Sequence, residues 1–393
     1  MHIRKDIVIF GGGIAGLWLL DRLHGLGYDV ALLENRALGG GQSVASQGMI
    51  HGGIKYALGG QLTGAATTIA DMPAYWRRCL AGEGEVDLRG TRVLSDAYYM
   101  WPRESLRSRL NAFLGSHALR GRVEALAPDA MPDFFRGRIR GPLYRLQDLV
   151  LDVPSLLETL ASRHAERLHL IDWQTTRLVC GADGITQLVL PDGSELVARR
   201  FVCSSGEGAA FFLAAQGAQQ VAMQRRPLNM VVVRQAPADP VYVHLVSERM
   251  SATPELTITT HACSDGSHAW YLGGDLAERG VGRSDEEQLA AARSLLTERF
   301  PWCDYSASRM YCFPINRAEA RQPDGKRPDN ATLLQEGNLY YAWPTKLTLA
   351  PALAEQLITR LQAEDIRPGF GNGETLQALP QPPLATAPWE QWP

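Results

Sequence analysis

The first 34 residues place a short apolar run, a glycine-rich turn and an acidic residue in an order that few folds accommodate. Residues 6–10 are typical of a buried strand, and residues 17–26 are typical of the helix that follows it. Between them lies Gly11-Gly12-Gly13-Ile14-Ala15-Gly16, which has the spacing G-x-G-x-x-G. A second apolar strand, 29–33, ends at Glu34. In this βαβ context the spacing predicts a dinucleotide-binding turn rather than an ordinary glycine-rich loop.

Each part of this turn has a physical task in binding a dinucleotide. Gly11 allows the tight turn, Gly13 lets a pyrophosphate approach the backbone, and Gly16 lets helix and strand pack closely. The first N–H groups of the helix point at the phosphates, and the acid at the end of the second strand takes the ribose hydroxyls. The predicted cofactor contacts in this unit are Gly11, Gly13, Ile14, Ala15, Gly16, Glu34 and Asn35.

Length, charge and cysteine spacing exclude several classes of protein. A chain of 393 residues has room for two domains, and a net charge of −3 gives no general attraction to nucleic acid. The six cysteines form no C-x-x-C pair, so neither a metal site nor a disulfide framework is predicted. Residues 1–5 lead directly into the first strand, and no apolar run reaches the length of a membrane span. We therefore expect a cytoplasmic protein with no transmembrane segment and no nucleic-acid partner, while peripheral membrane contact stays open.

Two later regions indicate how the rest of the chain is organised. Several β-rich runs between residues 221 and 272 predict the sheet of a second domain. Residues 285–300 predict an amphipathic helix with Ser284 as its N-cap, and residues 349–363 predict a late helix. The proline-rich tail, 380–393, is predicted to be extended or disordered.

Three short segments resemble the D-amino-acid-oxidase-like superfamily of FAD enzymes. Residues 51–56, His-Gly-Gly-Ile-Lys-Tyr, resemble the H-G-G-[L/I]-[R/K]-Y segment of flavin-dependent glycerol-3-phosphate dehydrogenases and the H-A-G-I-Y-Y segment of L-2-hydroxyglutarate dehydrogenases. Residues 345–352, Thr-Lys-Leu-Thr-Leu-Ala-Pro-Ala, resemble the G-K-L-T and L-A-P-A segments that open the last helix of these enzymes. Residues 323–325 resemble the P-D-G loop before the final strand.

The resemblance implies an α/β, two-domain fold in which a mixed-sheet substrate domain is inserted into a Rossmann-like FAD-binding domain. The FAD-binding domain would be discontinuous, comprising residues 1–75, 145–217 and 325–370. The substrate-binding domain would comprise residues 76–144 and 218–324, and residues 371–393 would form a proline-rich tail.

The resemblance also implies FAD as the cofactor and extends the set of predicted contacts. Small and polar residues of the loop after the second strand, a glycine at the end of a later strand and the segment before the last helix would meet the flavin nucleotide. These residues are Gln42, Ser43, Ser46, Gln47, Gly48, Gly206, Thr345, Lys346, Leu347 and Thr348. No metal is implied.

Candidate catalytic and substrate-binding residues follow from the same segments. His51 would contact the flavin or act as a base, and Lys346 would stabilise negative charge on the reduced ring. Arg317 and Arg321 both precede the P-D-G loop, where a substrate-anchoring arginine is expected, and the spacing does not choose between them. Lys55 and Tyr56 would bind substrate. Lysine, where relatives have arginine, puts phosphate specificity in doubt.

The sequence therefore predicts an FAD-dependent dehydrogenase or oxidase that removes a hydride from a C–H bond next to a hydroxyl or amine. The substrate would be a small, anionic metabolite, with a 2-hydroxy acid or polyol phosphate favoured over an amino acid or secondary amine. Two departures from the relatives, Lys55 and Trp343-Pro344, motivate the alternative of an FAD-binding redox or partner subunit without turnover. The bulky Trp343, where relatives have glycine, would shape or partly close the space beside the flavin ring. An NAD-dependent enzyme built on the same βαβ unit is a further alternative. The electron acceptor (oxygen, a quinone or a carrier protein), covalent flavin attachment and the oligomeric state stay open.

Overall fold

The structure, a computed structural model, describes residues 1–53, 69–103, 123–237, 240–246, 253–376 and 379–391. The helices in these ranges are α1 (Ile14–Gly25), α2 (Met72–Ala81), α3 (Val153–Ser162), α4 (Ala209–Gln216), α5 (Asp275–Arg279), α6 (Asp285–Arg299) and α7 (Ala350–Ala363). The strands are β1 (His2–Phe10), β2 (Val30–Glu34), β3 (Met49–Ile50), β4 (Val93–Ser95), β5 (Tyr98–Pro102), β6 (Val123–Ala125), β7 (Tyr144–Leu146), β8 (Leu149–Leu151), β9 (Leu168–Leu170), β10 (Arg177–Gly181), β11 (Gly184–Val189), β12 (Glu195–Cys203), β13 (Met223–Arg234), β14 (Val243–Val246), β15 (Leu256–Ala262), β16 (His268–Gly273), β17 (Arg309–Ala320), β18 (Thr332–Glu336) and β19 (Leu339–Trp343).

The first large sheet is built around β1, whose residues 5–10 are all buried. β1 pairs in parallel with β2 on one side and with β12 on the other, and β12 also pairs in parallel with β19. Helices α1 and α7 pack on the sheet, where apolar side chains such as Leu17, Trp18 and Leu353 are fully buried. β10, β11 and β18 join the sheet in antiparallel pairs. Its parallel centre, covered by helices, gives the Rossmann-like architecture that the opening βαβ unit predicts.

The second large sheet has the order β17-β13-β16-β15-β14-β5-β7-β6 within the described residues. Its neighbours are antiparallel except for β14 and β5, which pair in parallel. Helix α6 packs on it through Leu296 and the residue at its end, Phe300, and both are fully buried. Ser284 and Glu287 form a capping box at the start of α6, as predicted for the N-cap. The chain therefore has a mixed α/β, two-domain fold, while the exact domain boundaries at residues 75, 145, 217 and 325 stay predictions.

The proline-rich tail has a defined conformation over residues 379–391: it is mainly extended and includes a 3-10 turn at Pro388–Glu390. Its backbone forms an isolated parallel bridge between Leu384 and Leu38, and Trp389 is 2% exposed against the second sheet. Prolines donate no N–H, but their carbonyl groups accept: Pro383 accepts from the N–H of Leu38 at 2.8 Å. Among the described residues, no helix combines the length and the apolar character needed to cross a membrane.

Candidate functional site

A cavity of about 550 Å³ opens where the carboxyl ends of β1 and β2 face the long strands β13 and β17. The first sheet contributes the turn after Phe10 and the residues after Leu33, and the second sheet contributes Met230 and Ile315. In sheets with parallel strands, ligands bind at the carboxyl ends, where a switch in strand order leaves a crevice. The cavity therefore lies where the sequence predicts a dinucleotide.

The glycine turn has the geometry that its spacing predicts. Gly11 adopts φ +100°, and a Cβ placed there would lie 2.5 Å from the Cα of Ser205. A Cβ on Gly16 would lie 2.0 Å from the carbonyl oxygen of Gly11, so only glycine lets α1 approach β1 this closely. Gly13 is the N-cap of α1 and lies on the cavity wall, where a Cβ would meet only the hydroxyl of Ser43, at 3.0 Å. An anion can thus approach the backbone at the positive end of α1.

Glu34 is fixed at the edge of the cavity by backbone groups. Its Oε2 accepts from the N–H of Gly12 at 2.7 Å, and its Oε1 accepts from the N–H groups of Asn35 and Arg36 at 2.9 and 3.0 Å. A carboxylate has about four acceptor positions, so capacity for a ribose hydroxyl is left. Glu34 and Asn35 both line the cavity.

The loop after β2 lies between the two sheets. The Oγ of Ser43 accepts from the N–H of Ile14 at 2.9 Å, at the N-terminal end of α1. Gln42 accepts from the N–H of Ala318 at 2.9 Å, and Gln47 donates to the carbonyl of Tyr271 at 2.8 Å. The two glutamines therefore connect this loop to β17 and β16. Gly48 lies off the cavity wall, because it packs against Leu151, whose carbonyl oxygen would lie 2.0 Å from an added Cβ.

The segment before the last helix forms another part of the wall. Thr345 adopts φ +62° and donates through its hydroxyl to the carbonyl of Asn330 at 2.9 Å. The Nζ of Lys346 donates to the carbonyl of Asp329 at 2.8 Å. Lys346 and Leu347 line the cavity, and so does Trp343, which is 2% exposed. The bulky side chain predicted from the Trp343-Pro344 departure therefore shapes this space.

His51 is buried and lies off the wall that the described residues form. His51 is only 5% exposed, and its backbone N–H donates to the hydroxyl of Thr348 at 3.2 Å. Thr348 is itself fully buried and also lies off the wall. The interaction ties the end of β3 to the turn before α7. Lys55 and Tyr56 lie outside the described residues.

Of the two candidate arginines, Arg317 lies on the cavity wall and Arg321 has an exposed side chain. The Nε of Arg317 donates to the carbonyl of Arg226 at 3.2 Å, and its Nη1 lies 3.4 Å from a carboxylate oxygen of Glu278. Burial, and then the positive charge of Arg226, lower the pKa of Arg317 from its ordinary value. An arginine nevertheless keeps its charge in proteins, so this part of the cavity holds a partly desolvated cation.

The predicted site residues divide into two groups by position. Those on the cavity wall are Gly11, Gly13, Ile14, Ala15, Glu34, Asn35, Gln42, Ser43, Ser46, Gln47, Gly206, Arg317, Thr345, Lys346 and Leu347. Those off it, among the described residues, are Gly16, Gly48, His51, Arg321 and Thr348.

Several wall residues were not predicted from sequence. Glu278, on α5, and Arg327, two residues after Gly325, carry charges into the cavity. The P-D-G segment is a signal that could have pointed to Arg327. Trp173 and Phe211 add aromatic surface, and neither lies in a recognisable motif.

Comparisons with known proteins agree with this geometry. The profile of the DAO family, described as FAD dependent oxidoreductase, matches residues 6–360. The probable FAD-dependent oxidoreductase PA4991 of Pseudomonas aeruginosa is 46% identical over 390 residues, which cover 99% of this chain and 98% of that protein. The crystal structure of PA4991 superposes with a TM-score of 0.85 and 40% identity, covering 99% of this chain and 98% of that one.

More distant structures share the fold alone. Glycine oxidase from Geobacillus kaustophilus has a TM-score of 0.61 at 18% identity, with 94% of this chain and 97% of that chain covered. L-α-glycerophosphate oxidase from Mycoplasma pneumoniae has a TM-score of 0.66 at 12% identity, with 91% and 95% covered. The extent of the family match and the similarity to PA4991 lead to one conclusion: this chain belongs to the DAO family of FAD-dependent oxidoreductases.

Proposed function

We propose that this enzyme oxidises a C–H bond next to a hydroxyl or amine in a small anionic metabolite. The proposal rests on the position of Arg317, which places a partly buried cation on the cavity wall. A guanidinium presents a planar fork of N–H donors, which suits a carboxylate or a phosphate. We favour a 2-hydroxy acid or a polyol phosphate, because residues 51–56 resemble enzymes that act on such substrates.

The residues present fit FAD, which supplies a hydride acceptor when it is bound. The positive end of α1 and the open face of Gly13 suit its pyrophosphate, and Glu34 suits its ribose. On the other side, Lys346 and the turn before α7 are the groups we assign to stabilising negative charge on the ring. His51 and Lys55 stay predicted contributors. The electron acceptor is oxygen, a quinone or a carrier protein.

Arg317 would orient the substrate through its anionic group. Its Nε is engaged by the carbonyl of Arg226, which limits rotation of the guanidinium. Nη1 and Nη2 lie 3.4 and 3.5 Å from Oε1 of Glu278, distances that are long for charge-assisted hydrogen bonds. Together with the bond from Nε, these contacts use at most three of the five N–H groups of an arginine. N–H groups of Arg317 are therefore available to a substrate anion, and a fixed anion holds the reacting C–H bond in place.

A second candidate, an amino-acid or secondary-amine oxidase, is supported by Glu278. Its carboxylate lies on the cavity wall beside Arg317, so a positive and a negative group face the same space. A zwitterionic substrate could place its carboxylate on Arg317 and its ammonium on Glu278. Charge alone therefore does not separate hydroxy acids from amino acids.

Anaerobic bleaching of the bound flavin tests the proposal. The purified holoprotein is mixed with 2-hydroxy acids, polyol phosphates, amino acids and secondary amines, and flavin absorbance is followed. We expect at least one anionic compound to bleach the flavin. If no compound in the panel does so, the substrate proposal fails and an FAD-binding subunit without turnover gains support.

Replacing each candidate arginine shows whether Arg317 is the anchor. R317M removes the guanidinium but keeps an unbranched side chain, and R321M does the same at the exposed position. Charged hydrogen bonds are worth about 1.5–3 kcal/mol, so the KM or Kd of the bleaching substrate should rise by about 10- to 150-fold in R317M. R321M should match the parent. Equal effects of the two substitutions would remove Arg317 from substrate binding.

A further inference from the structure

Two aromatic side chains of unassigned role meet at one end of the cavity. Trp173 follows β9 and Phe211 lies on α4, and both line the wall. Their ring centroids are 4.8 Å apart with an interplanar angle of 36°. Phe211 is 43% exposed. The pair therefore presents apolar surface that the protein itself covers only in part.

The pair is held in place by the hydrophobic core behind it. Trp173 packs against Phe212 with centroids 5.6 Å apart, and Phe212 packs against Phe10 at 4.5 Å. Phe10 is the last residue of β1 and is 1% exposed. The orientation of Trp173 is thus set by packing against buried aromatic residues of the first sheet and α4.

The aromatic pair lies at the Glu34 end of the cavity. The N–H of Ile171 donates to the backbone carbonyl of Glu34 at 2.8 Å, and Trp173 follows two residues later. Arg317 and Met230 belong instead to β17 and β13 of the second sheet. The glycine turn, where a pyrophosphate fits, contacts both groups: the N–H of Gly12 donates to Glu34 on one side, and on the other side Gly11 lies against Ser205, which precedes Glu207, the acceptor of a hydrogen bond from Asn316 of β17.

From this order we infer that the adenine of FAD stacks on the aromatic surface that Trp173 and Phe211 present together to the cavity. A nucleotide whose pyrophosphate lies on the glycine turn and whose ribose meets Glu34 carries its base towards Trp173. Adenine has a flat π-face, and bases stack favourably on aromatic side chains. Covering Phe211 with the base would also remove its exposed apolar surface from water. Trp173 and Phe211 are therefore cofactor-binding residues that act at the end of the cavity away from the flavin ring.

The competing explanation is that both rings are only the outer rim of the core. ADP separates the two, because it carries adenine and pyrophosphate without a flavin ring. The full-length chain is freed of flavin, and its Kd values for ADP and for FAD are measured by calorimetry. The variants are W173L and F211L, which keep apolar bulk, W173F, which keeps an aromatic face, and F370L as a control.

Phe370 is a suitable control because it is a partly buried aromatic residue off the cavity wall, near the guanidinium groups of Arg4 and Arg199. We expect W173L and F211L to raise the Kd for ADP and for FAD by the same factor, about tenfold. W173F should stay within about threefold of the parent, and F370L should not differ from it. The midpoint potential of flavin in the refilled variants should be unchanged, because the ring end is untouched.

Three results would overturn the inference. One is a Kd for ADP within about twofold of the parent's in both W173L and F211L. Another is a loss of affinity for FAD without a loss for ADP, which would assign the two residues to the flavin end. The third is an equal loss in W173F and W173L, which would mean that packing and not an aromatic face is needed. If W173L does not fold, F211L decides, because its side chain is partly exposed and contributes less to the core.

Discussion

Single atoms decide how closely α1 can approach the glycine turn. At Gly16 the nearest atom to an added Cβ is a backbone oxygen at 2.0 Å, which cannot move without moving the turn itself. At Gly25, near the other end of the same helix, no atom lies within 4 Å of an added Cβ. A side chain is therefore excluded at Gly16 but has free space at Gly25, so a substitution at Gly25 is a control for the same substitution at Gly16.

We expect Gly16→Ala to displace α1, to destabilise the protein by several kcal/mol and to weaken FAD binding, because overpacking against backbone has no low-energy relief. Gly25→Ala should stabilise it by up to about 1 kcal/mol through helix propensity. Urea unfolding of the purified proteins and the flavin content of each measure both effects. A Gly16→Ala variant that keeps parental stability and full flavin content would show that the turn is not rigid.

Whole elements differ in how far sequence alone predicts them. The unit β1–α1–β2 follows from local pattern, since its apolar runs and glycine spacing are contiguous. The strand β17 was missed, because Pro314 and Asn316 interrupt its pattern. The structure explains why the proline is tolerated: within the described part of the chain β17 is an edge strand that pairs with β13 alone, where Pro314 lies opposite Asn229. Arg317 is positioned by this strand, so its approach to α5 and Glu278 depends on long-range pairing that no local pattern encodes.

The strand β15 carries a buried histidine that makes the fold sensitive to acid. His261 is 1% exposed, stacks on Trp389 with centroids 3.6 Å apart and shares a hydrogen bond of 2.8 Å with the hydroxyl of Thr259. Burial lowers the pKa of His261 to about 3. The unfolded chain therefore binds a proton at a higher pH, near 6.5, than the folded chain does.

Because the pKa of His261 is lower in the folded chain than in the unfolded chain, a fall in pH destabilises the fold. The stabilisation from keeping His261 neutral is complete above about pH 6.5 and is lost as the pH falls towards about 3, by about 1.4 kcal/mol per pH unit. His261→Phe keeps an aromatic partner for Trp389 but cannot titrate. Its free energy of unfolding, measured in urea between pH 6.5 and 4.5, should therefore fall less steeply than the parent's. Parallel curves would mean that His261 does not contribute to acid sensitivity.

At the scale of the whole molecule, the tail connects the two sheets. The carbonyl of Pro380 accepts from the N–H of Leu170 at 2.7 Å, beside β2 of the first sheet. At the other end the carbonyl of Pro388 accepts from the hydroxyl of Tyr311 at 2.7 Å, on β17 of the second sheet. Composition predicts an extended or disordered chain here but not its docking, because the contacts come from scattered groups: Trp389, the carboxylate of Glu390 and a few backbone carbonyls.

Trp389 is the largest anchor of this segment, and it gives the last prediction. Trp389→Ala should lower the free energy of unfolding by about 3–5 kcal/mol, the usual cost of removing a buried tryptophan. Leu384→Ala, in the same segment, is the matched control because Leu384 is 42% exposed. Unfolding is followed by far-UV circular dichroism and by the fluorescence of released flavin. Since Trp389 holds the tail on the second sheet and Pro380 holds it on the first, we expect Trp389→Ala to shift both signals to lower temperature, and Leu384→Ala to shift neither. If flavin release stays at the parental temperature in Trp389→Ala, the tail stabilises the second sheet without bracing the cavity between the sheets.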